Sequence, residues 1–142
     1  MKIFVGADHN GFRLKKELIK KMKDFIDVNP VFKTGDDYPL IAKKLCKNIK
    51  NDNKGILICG SGMGVCIAAN KFKGVRAVVC NSQKEAELSR QDTDSNVICL
   101  SGWNLTTEKA LKIIKKWLSS SFNALPRHVR RINQIKDFEK WK

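Results

Sequence analysis

The sequence predicts an α/β fold: a doubly wound, five-stranded parallel sheet with helices on both faces, Rossmann-like in its winding, with an extra C-terminal helix. Three observations carry this. Short apolar runs recur five times, at residues 2–6, 25–28, 56–58, 75–80 and 96–100. The clearest, 56–58, is too short for a helix and reads as a strand buried in a parallel sheet. Helical stretches separate these runs, and that alternation argues for right-handed crossovers covering both faces. The third observation is the stretch 55–70, where a strand meets Gly60, Gly62 and Gly64 and then the apolar helix start 65–69. A strand, a glycine turn and a helix N-terminus aim backbone N–H groups and a positive dipole end at one point, which makes an anion site. Ligands of open α/β sheets bind at this edge.

The elements follow in order. The first strand, 2–6, runs into a turn at 7–11. A helix from Phe12 to Phe25 carries Leu14, Leu18, Ile19 and Met22 on one face. The second strand, 25–28, ends at Asn29 and Pro30. A loop with Gly35 and two aspartates leads to Pro39, well placed at a helix start, and that helix runs to Ile49. Residues 51–54 turn into the central strand. After the fourth strand, Ser82 with Glu85 three residues on forms a capping box for a helix reaching Arg90. After the fifth strand, Thr106 or Thr107 caps a helix carrying Leu111, Ile114 and Leu118. The last helix, 127–142, carries Val129, Ile132, Ile135, Phe138 and Trp141 at helical spacing. It has no strand to cover, so its stripe packs on a second subunit or on its own domain.

Composition bounds the function. At 142 residues the chain reads as one domain, 1–142, with room for a real core. Without 18 consecutive apolar residues no membrane span is expected, and Met1-Lys-Ile-Phe-Val-Gly6 enters a strand rather than a signal peptide. Five cysteines in mostly apolar runs suggest reduced thiols in a cytoplasmic protein. The net charge of +14 raises nucleic-acid binding. But the lysines, among them Lys15, Lys16, Lys43, Lys44, Lys112 and Lys116, are scattered over helix faces with no aromatic platform between them. Solvated faces and an acidic small ligand fit better, and no nucleic-acid partner is expected.

Cys59 ends the central strand at the lip of the glycine turn. A helix N-terminus there favours a thiolate, able to act as base or nucleophile; the bland alternative is a small buried core thiol. Ser61 lies inside the turn, where its hydroxyl holds a phosphate or an oxyanion, or simply bonds its own backbone. Asp8 and His9 lie beyond the first strand at the same sheet edge, where titratable residues point to function. Arg127 and Arg131, four apart, share a helix face, and two guanidinium forks suit a phosphate. The alternative is a solvated basic helix start, which the dipole disfavours. The glycines are not a P-loop, because no Gly-Lys-Ser/Thr follows, and they come after the third strand rather than the first, which speaks against a dinucleotide site. Two histidines and dispersed cysteines give no metal site, and no cofactor is expected.

Several segments together resemble the ribose-5-phosphate isomerase B family, with its galactose-6-phosphate isomerase relatives. They are Gly6-Ala-Asp-His-Asn-Gly11, Asp37-Tyr-Pro39, Gly55-Ile-Leu-Ile-Cys-Gly-Ser-Gly-Met-Gly64, Ile67-Ala-Ala-Asn-Lys71, Val75-Arg-Ala77, Leu88-Ser-Arg-Gln91, Asn96-Val and Arg127-His128. The resemblance spans nearly the whole chain in order. It implies metal-free interconversion of an aldose phosphate and a ketose phosphate, by a homodimer or dimer of dimers with interfacial sites. It implies Cys59 as the base, with Ser61 and the amides from Gly60 through Gly62 and Met63 to Gly64 stabilising an enediolate. Asp8 and His9 would touch the sugar and phosphate end, and Arg127 and Arg131 would hold the phosphate.

Three positions depart from the family's usual residues. Asp92 and Thr93 stand where the isomerases place His-Asn, the histidine assisting ring opening, and Trp103 stands where an arginine is expected. The resemblance puts these residues on one wall of the pocket, with Asp92 as a substitute acid and Thr93 as a substrate contact. The implied substrate is ribose 5-phosphate. The alternatives are a six-carbon aldose 6-phosphate, or sugar-phosphate binding without turnover.

Overall fold

The computed structural model describes residues 1–141. Its strands are β1 (Ile3–Ala7), β2 (Phe25–Asp27), β3 (Lys54–Cys59), β4 (Ala77–Val79) and β5 (Val97–Ser101). Its helices are α1 (Phe12–Lys21), α2 (Tyr38–Cys46), α3 (Met63–Ala69), α4 (Gln83–Thr93), α5 (Thr107–Ser119) and α6 (Pro126–Phe138), closed by a 3₁₀ turn at Glu139–Trp141. All strand pairs are parallel, in the order β2-β1-β3-β5-β4.

The side-chain alternation of the strands divides the core in two. Val5, Ala7, Ile56, Ile58, Ile98 and Leu100 pack with Leu14 and Leu18 of α1, Ala86 of α4 and Ile113, Ile114 and Trp117 of α5. Phe4, Leu57, Cys59, Val97 and Cys99 pack with Ile41 and Leu45 of α2 and Val65 and Ala69 of α3. Burial on both faces is why the central strands are apolar throughout. Chain leaves β1 by way of α1 on one face and leaves neighbouring β3 by way of α3 on the other. The winding therefore reverses between β1 and β3, and a crevice opens beyond their carboxyl ends.

Element ends differ from expectation for local reasons. α1 stops at Lys21, short of Phe25, because Phe25 pairs with Ile3 and opens β2. α2 begins one residue before Pro39 and stops at Cys46 rather than Ile49. α4 continues past Arg90 to Thr93, where Asp94 takes a left-handed turn at φ 46° and its carboxylate accepts from the Arg90 guanidinium at 2.8 Å. Ser82 caps α4 by accepting the Glu85 N–H at 3.1 Å, although the Glu85 carboxylate takes the N–H of Asn81 rather than that of Ser82. Thr106, not Thr107, caps α5.

β4 is shorter than the run 75–80 and forms the sheet edge. The Asn70 side chain covers that edge: its Oδ1 accepts the Ala77 N–H and its Nδ2 donates to the Ala77 carbonyl, both at 2.9 Å. The last helix packs partly on its own domain, with Ile132 buried and the Glu139 carboxylate accepting the Gly74 N–H at 2.6 Å. Val129, Ile135 and Phe138 of its stripe stay exposed. Lys142, where the predicted helix ends, lies outside the described residues. Lys15 departs from expectation too. Its side chain is fully buried rather than solvated, and its Nζ donates to Asp27 at 2.8 Å and to the Asn29 carbonyl at 2.6 Å.

Candidate active site

The β1 turn places an acid at the crevice. The Asp8 N–H bonds the Ile58 carbonyl at 3.1 Å, so the turn grows directly out of the β1–β3 ladder. The Asp8 carboxylate accepts the N–H groups of Asn10 at 3.0 Å and Gly11 at 3.1 Å. Its burial raises its pKa above the ordinary carboxylate range, against the lowering effect of those two amides. Below it, Asn29 accepts the Ala7 N–H and donates to the Ala7 carbonyl, and Lys15 in turn holds Asn29. This network locks the carboxyl end of β1. His9 sits beside the cleft, with its N–H and its ring Nδ1 both on Asp36 Oδ1, at 2.8 and 3.1 Å.

The β3 turn places the thiol. Cys59 is 4% exposed, and its Sγ accepts the Gly62 N–H at 3.2 Å. Gly62 reaches this position at φ +80°, where a side chain would be strained and would press on the Leu100 carbonyl. Ser61 Oγ accepts the Met63 N–H at 3.2 Å. The β5 turn closes the side: Gly102 N–H bonds the Cys59 carbonyl at 2.8 Å, and Ser101 Oγ donates to the Gly60 carbonyl at 2.6 Å. A cleft of about 320 Å³ results, lined by Asp8, Asn10, Tyr38, Cys59, Gly60, Ser61, Gly64 and Trp103. Of the other cysteines, half-buried Cys66 has its pKa lowered by a hydrogen bond with Cys99, and the remaining three are buried. Burial pushes the Cys46 and Cys80 thiols up to about 12 and about 11, and that of Cys99 well above its usual value.

The remaining predicted residues lie elsewhere in the chain. α4 starts beyond the carboxyl end of β4 and ends just before β5 begins, so Asp92 and Thr93 sit at the opposite sheet edge from Cys59. They line a separate hollow of about 240 Å³ with His128, Arg131, Ile132 and Ile135 of α6. Thr93 Oγ1 is spent on the Ser89 carbonyl at 2.6 Å. His128 is buried, with Nδ1 2.7 Å from Asn123 Oδ1 and 3.8 Å from the Asp92 carboxylate. Arg127 and Arg131 are exposed, and among the described residues neither forms an ion pair. Within one chain, Trp103 therefore shares the cleft with Cys59, while Asp92, Thr93 and Arg131 do not. Among the described residues, no group of three or more His, Cys, Asp or Glu could hold a metal, and no helix is long and apolar enough to cross a membrane.

A profile of the Ribose/Galactose Isomerase family matches residues 3–135. The chain belongs to that family. Among family members, a probable ribose-5-phosphate isomerase B of Mycoplasma genitalium is 44% identical over 147 residues, covering 97% of this chain and 95% of the relative. The solved ribose-5-phosphate isomerase B of Clostridium thermocellum superposes with a TM-score of 0.93 at 37% identity, covering 99% of this chain and 98% of that one. The Mycoplasma genitalium enzyme, solved with bound ribulose-5-phosphate, superposes with a TM-score of 0.89 at 42% identity, covering 99% of this chain and 97% of that one.

Sequence reasoning missed the support beneath the site. Lys15 looks like any other helix lysine, and only the fold shows it reaching Asp27 and Asn29. Asp36 carried no signal beyond being one of two adjacent aspartates in a loop.

Proposed function

We propose that this chain, as one domain, is a ribose-5-phosphate isomerase that interconverts ribose 5-phosphate and ribulose 5-phosphate by metal-free proton transfer through an enediolate. The observation that carries the reading is Cys59 Sγ held by the Gly62 N–H at the mouth of a cleft that also presents Ser61 and Asp8. In the open-chain aldose, Cys59 as thiolate takes the proton from C2. The electron pair forms the C1–C2 double bond, and the aldehyde oxygen becomes the oxyanion. Ser61 and the amides from Gly60 to Gly64 stabilise that charge. The O2 hydroxyl proton passes to O1, and return of the carbon proton to C1 then closes the C2 carbonyl and gives the ketose. Asp8, buried and with a raised pKa, is suited to exchange protons with sugar hydroxyls, and His9, oriented by Asp36, stands at the sugar-phosphate end.

The cleft alone is half a site. Arg127 and Arg131 are exposed without acidic partners and lie on α6, which packs at the other edge. We infer a homodimer or dimer of dimers in which the partner copy's α4 and α6 bring Asp92, Thr93 and the two arginines to the cleft. Met63, Ile67, Val129 and Phe138, all exposed and apolar, are suitable surface for that contact. Five free cysteines suit the reducing cytoplasm.

The test is ketose formation from ribose 5-phosphate, with allose and galactose 6-phosphates alongside and Cys59→Ser as the blank. Cys59-dependent turnover fastest on the pentose supports the reading. Turnover only on a hexose phosphate moves the chain to the sister activity, for which Asp92 and Trp103 are the residues to examine. Binding without turnover on any sugar makes it a binding protein.

A further inference from the structure

Trp103 is 68% exposed yet held in place. Its own N–H bonds the Gly60 carbonyl at 3.1 Å, and the neighbouring Gly102 and Ser101 are tied to the β3 turn at 2.8 and 2.6 Å. The benzo ring of its indole lies so close over Gly60 that a Cβ there would overlap Cζ2, Cε2 and Cη2. This ring is thus fixed one residue from Cys59, with most of its surface bare. Across the cleft, the Tyr38 ring packs against Gly64, where a Cβ would lie 2.7 Å from Cζ. Among the described residues, no lysine, arginine or histidine lines the cleft. It therefore offers a phosphate no cationic side chain, and its polar side chains (Asp8, Asn10, Ser61 and the Tyr38 hydroxyl) match the neutral, hydroxylated part of a ligand. Aromatic walls with few polar groups are how a pocket holds a partly apolar small molecule.

We propose that Trp103 is a specificity-determining residue, its indole face stacking on the C–H face of the sugar and limiting the length of sugar chain that fits above Cys59. This rests on the isomerase reading above. Sugars present hydroxyls on their edges and C–H groups on their faces, so an indole selects by shape where an arginine would select by charge. Position matters as much as area: three hydrogen bonds tie the backbone and the Ser101 hydroxyl beside the ring to the β3 turn, and the ring itself packs on Gly60, which sets the indole over the cleft before the sugar arrives.

The test uses wild type, Trp103→Phe and Trp103→Ala. Trp117 is fully buried and Trp103 lines the cleft, and the Trp103→Phe variant separates its quench from any change at Trp141. Titration with ribose 5-phosphate should quench wild-type fluorescence and inorganic phosphate should not; the quench should vanish in Trp103→Phe. In turnover, Trp103→Ala should raise KM for ribose 5-phosphate about tenfold with a smaller change in kcat, while Trp103→Phe, which keeps a flat ring, stays within about threefold. The ratio of allose 6-phosphate to ribose 5-phosphate turnover should rise in Trp103→Ala. An unchanged KM and ratio in Trp103→Ala, a quench by phosphate alone, or a quench that survives in Trp103→Phe overturns the proposal. So does a sedimentation profile showing that Trp103→Ala acts by dissociating subunits. The two readings fail differently: absent wild-type turnover sinks the isomerase, whereas Trp103-dependent quenching by the pentose in that same protein leaves the stacking wall standing.

Discussion

The cleft beyond β1 and β3 and the hollow between α4 and α6 are built on opposite principles. In the cleft, Cys59 Sγ, Ser61 Oγ and the Asp8 carboxylate each accept a backbone N–H from their own turn. Those turns are pinned to one another through the sheet. At the hollow, the Arg131 guanidinium stands in solvent, Arg127 is exposed one turn before it on α6, and a histidine is tied to an asparagine side chain. The turns of the first region are held by their own chain; in the second, Arg127 and Arg131 form no ion pair among the described residues. On the isomerase reading proposed above, the chemistry that needs close placement would use the tied turns, and the anion anchor would come from another copy.

The sharpest way to break the contrast is to remove the thiol. Cys59→Ser should lower kcat by about 10³-fold while ribose 5-phosphate binding, read by calorimetry, stays within a few-fold. A variant that keeps wild-type kcat would remove Cys59 from the mechanism. Next, Arg127→Ala with Arg131→Ala should raise KM by about 10²-fold. Mixed with Cys59→Ser after subunit exchange, it should recover about a quarter of wild-type activity, since half the dimers are mixed and each then holds one intact site. No recovery would mean that thiol and arginines act within one chain.

Smaller effects probe the support. Lys15→Met leaves Asp27 and the Asn29 carbonyl without their cation and should cost about 2–3 kcal/mol in urea unfolding. A loss below about 0.5 kcal/mol would show that the buried ammonium offsets its own desolvation. Asp8→Asn should change the pH dependence of stability, and that dependence lies at acid pH. Burial raises the folded pKa of Asp8 above that of an ordinary aspartate, so between the ordinary value and the raised one the folded chain holds more protons than the unfolded chain. Stability falls as pH rises through that window. The asparagine variant should lack that fall, and identical pH profiles for both proteins would contradict it.

How much of this was legible follows the same division. The strands, the glycine turn and the positions of Cys59, Ser61 and Asp8 could be read because each depends on a few consecutive residues. Trp103 was visible as a residue out of place at a strand end. Asp92 and Thr93 could be aligned with a family motif but not placed, because a helix end can face any neighbour and here it faces away from the cleft. Lys15 could not be read at all: one buried lysine among many solvated ones differs only in what the second strand brings to it.

Asn70 has a consequence far from the cleft. An edge strand with free N–H and C=O groups is a template on which another chain can add a strand. β4 is three residues long, and the outward-facing pair of Ala77 is already occupied by the Asn70 amide. At the β4 edge, that side chain stands where a further strand would pair. That amide guards this edge against cross-chain β-aggregation, a duty independent of any sugar.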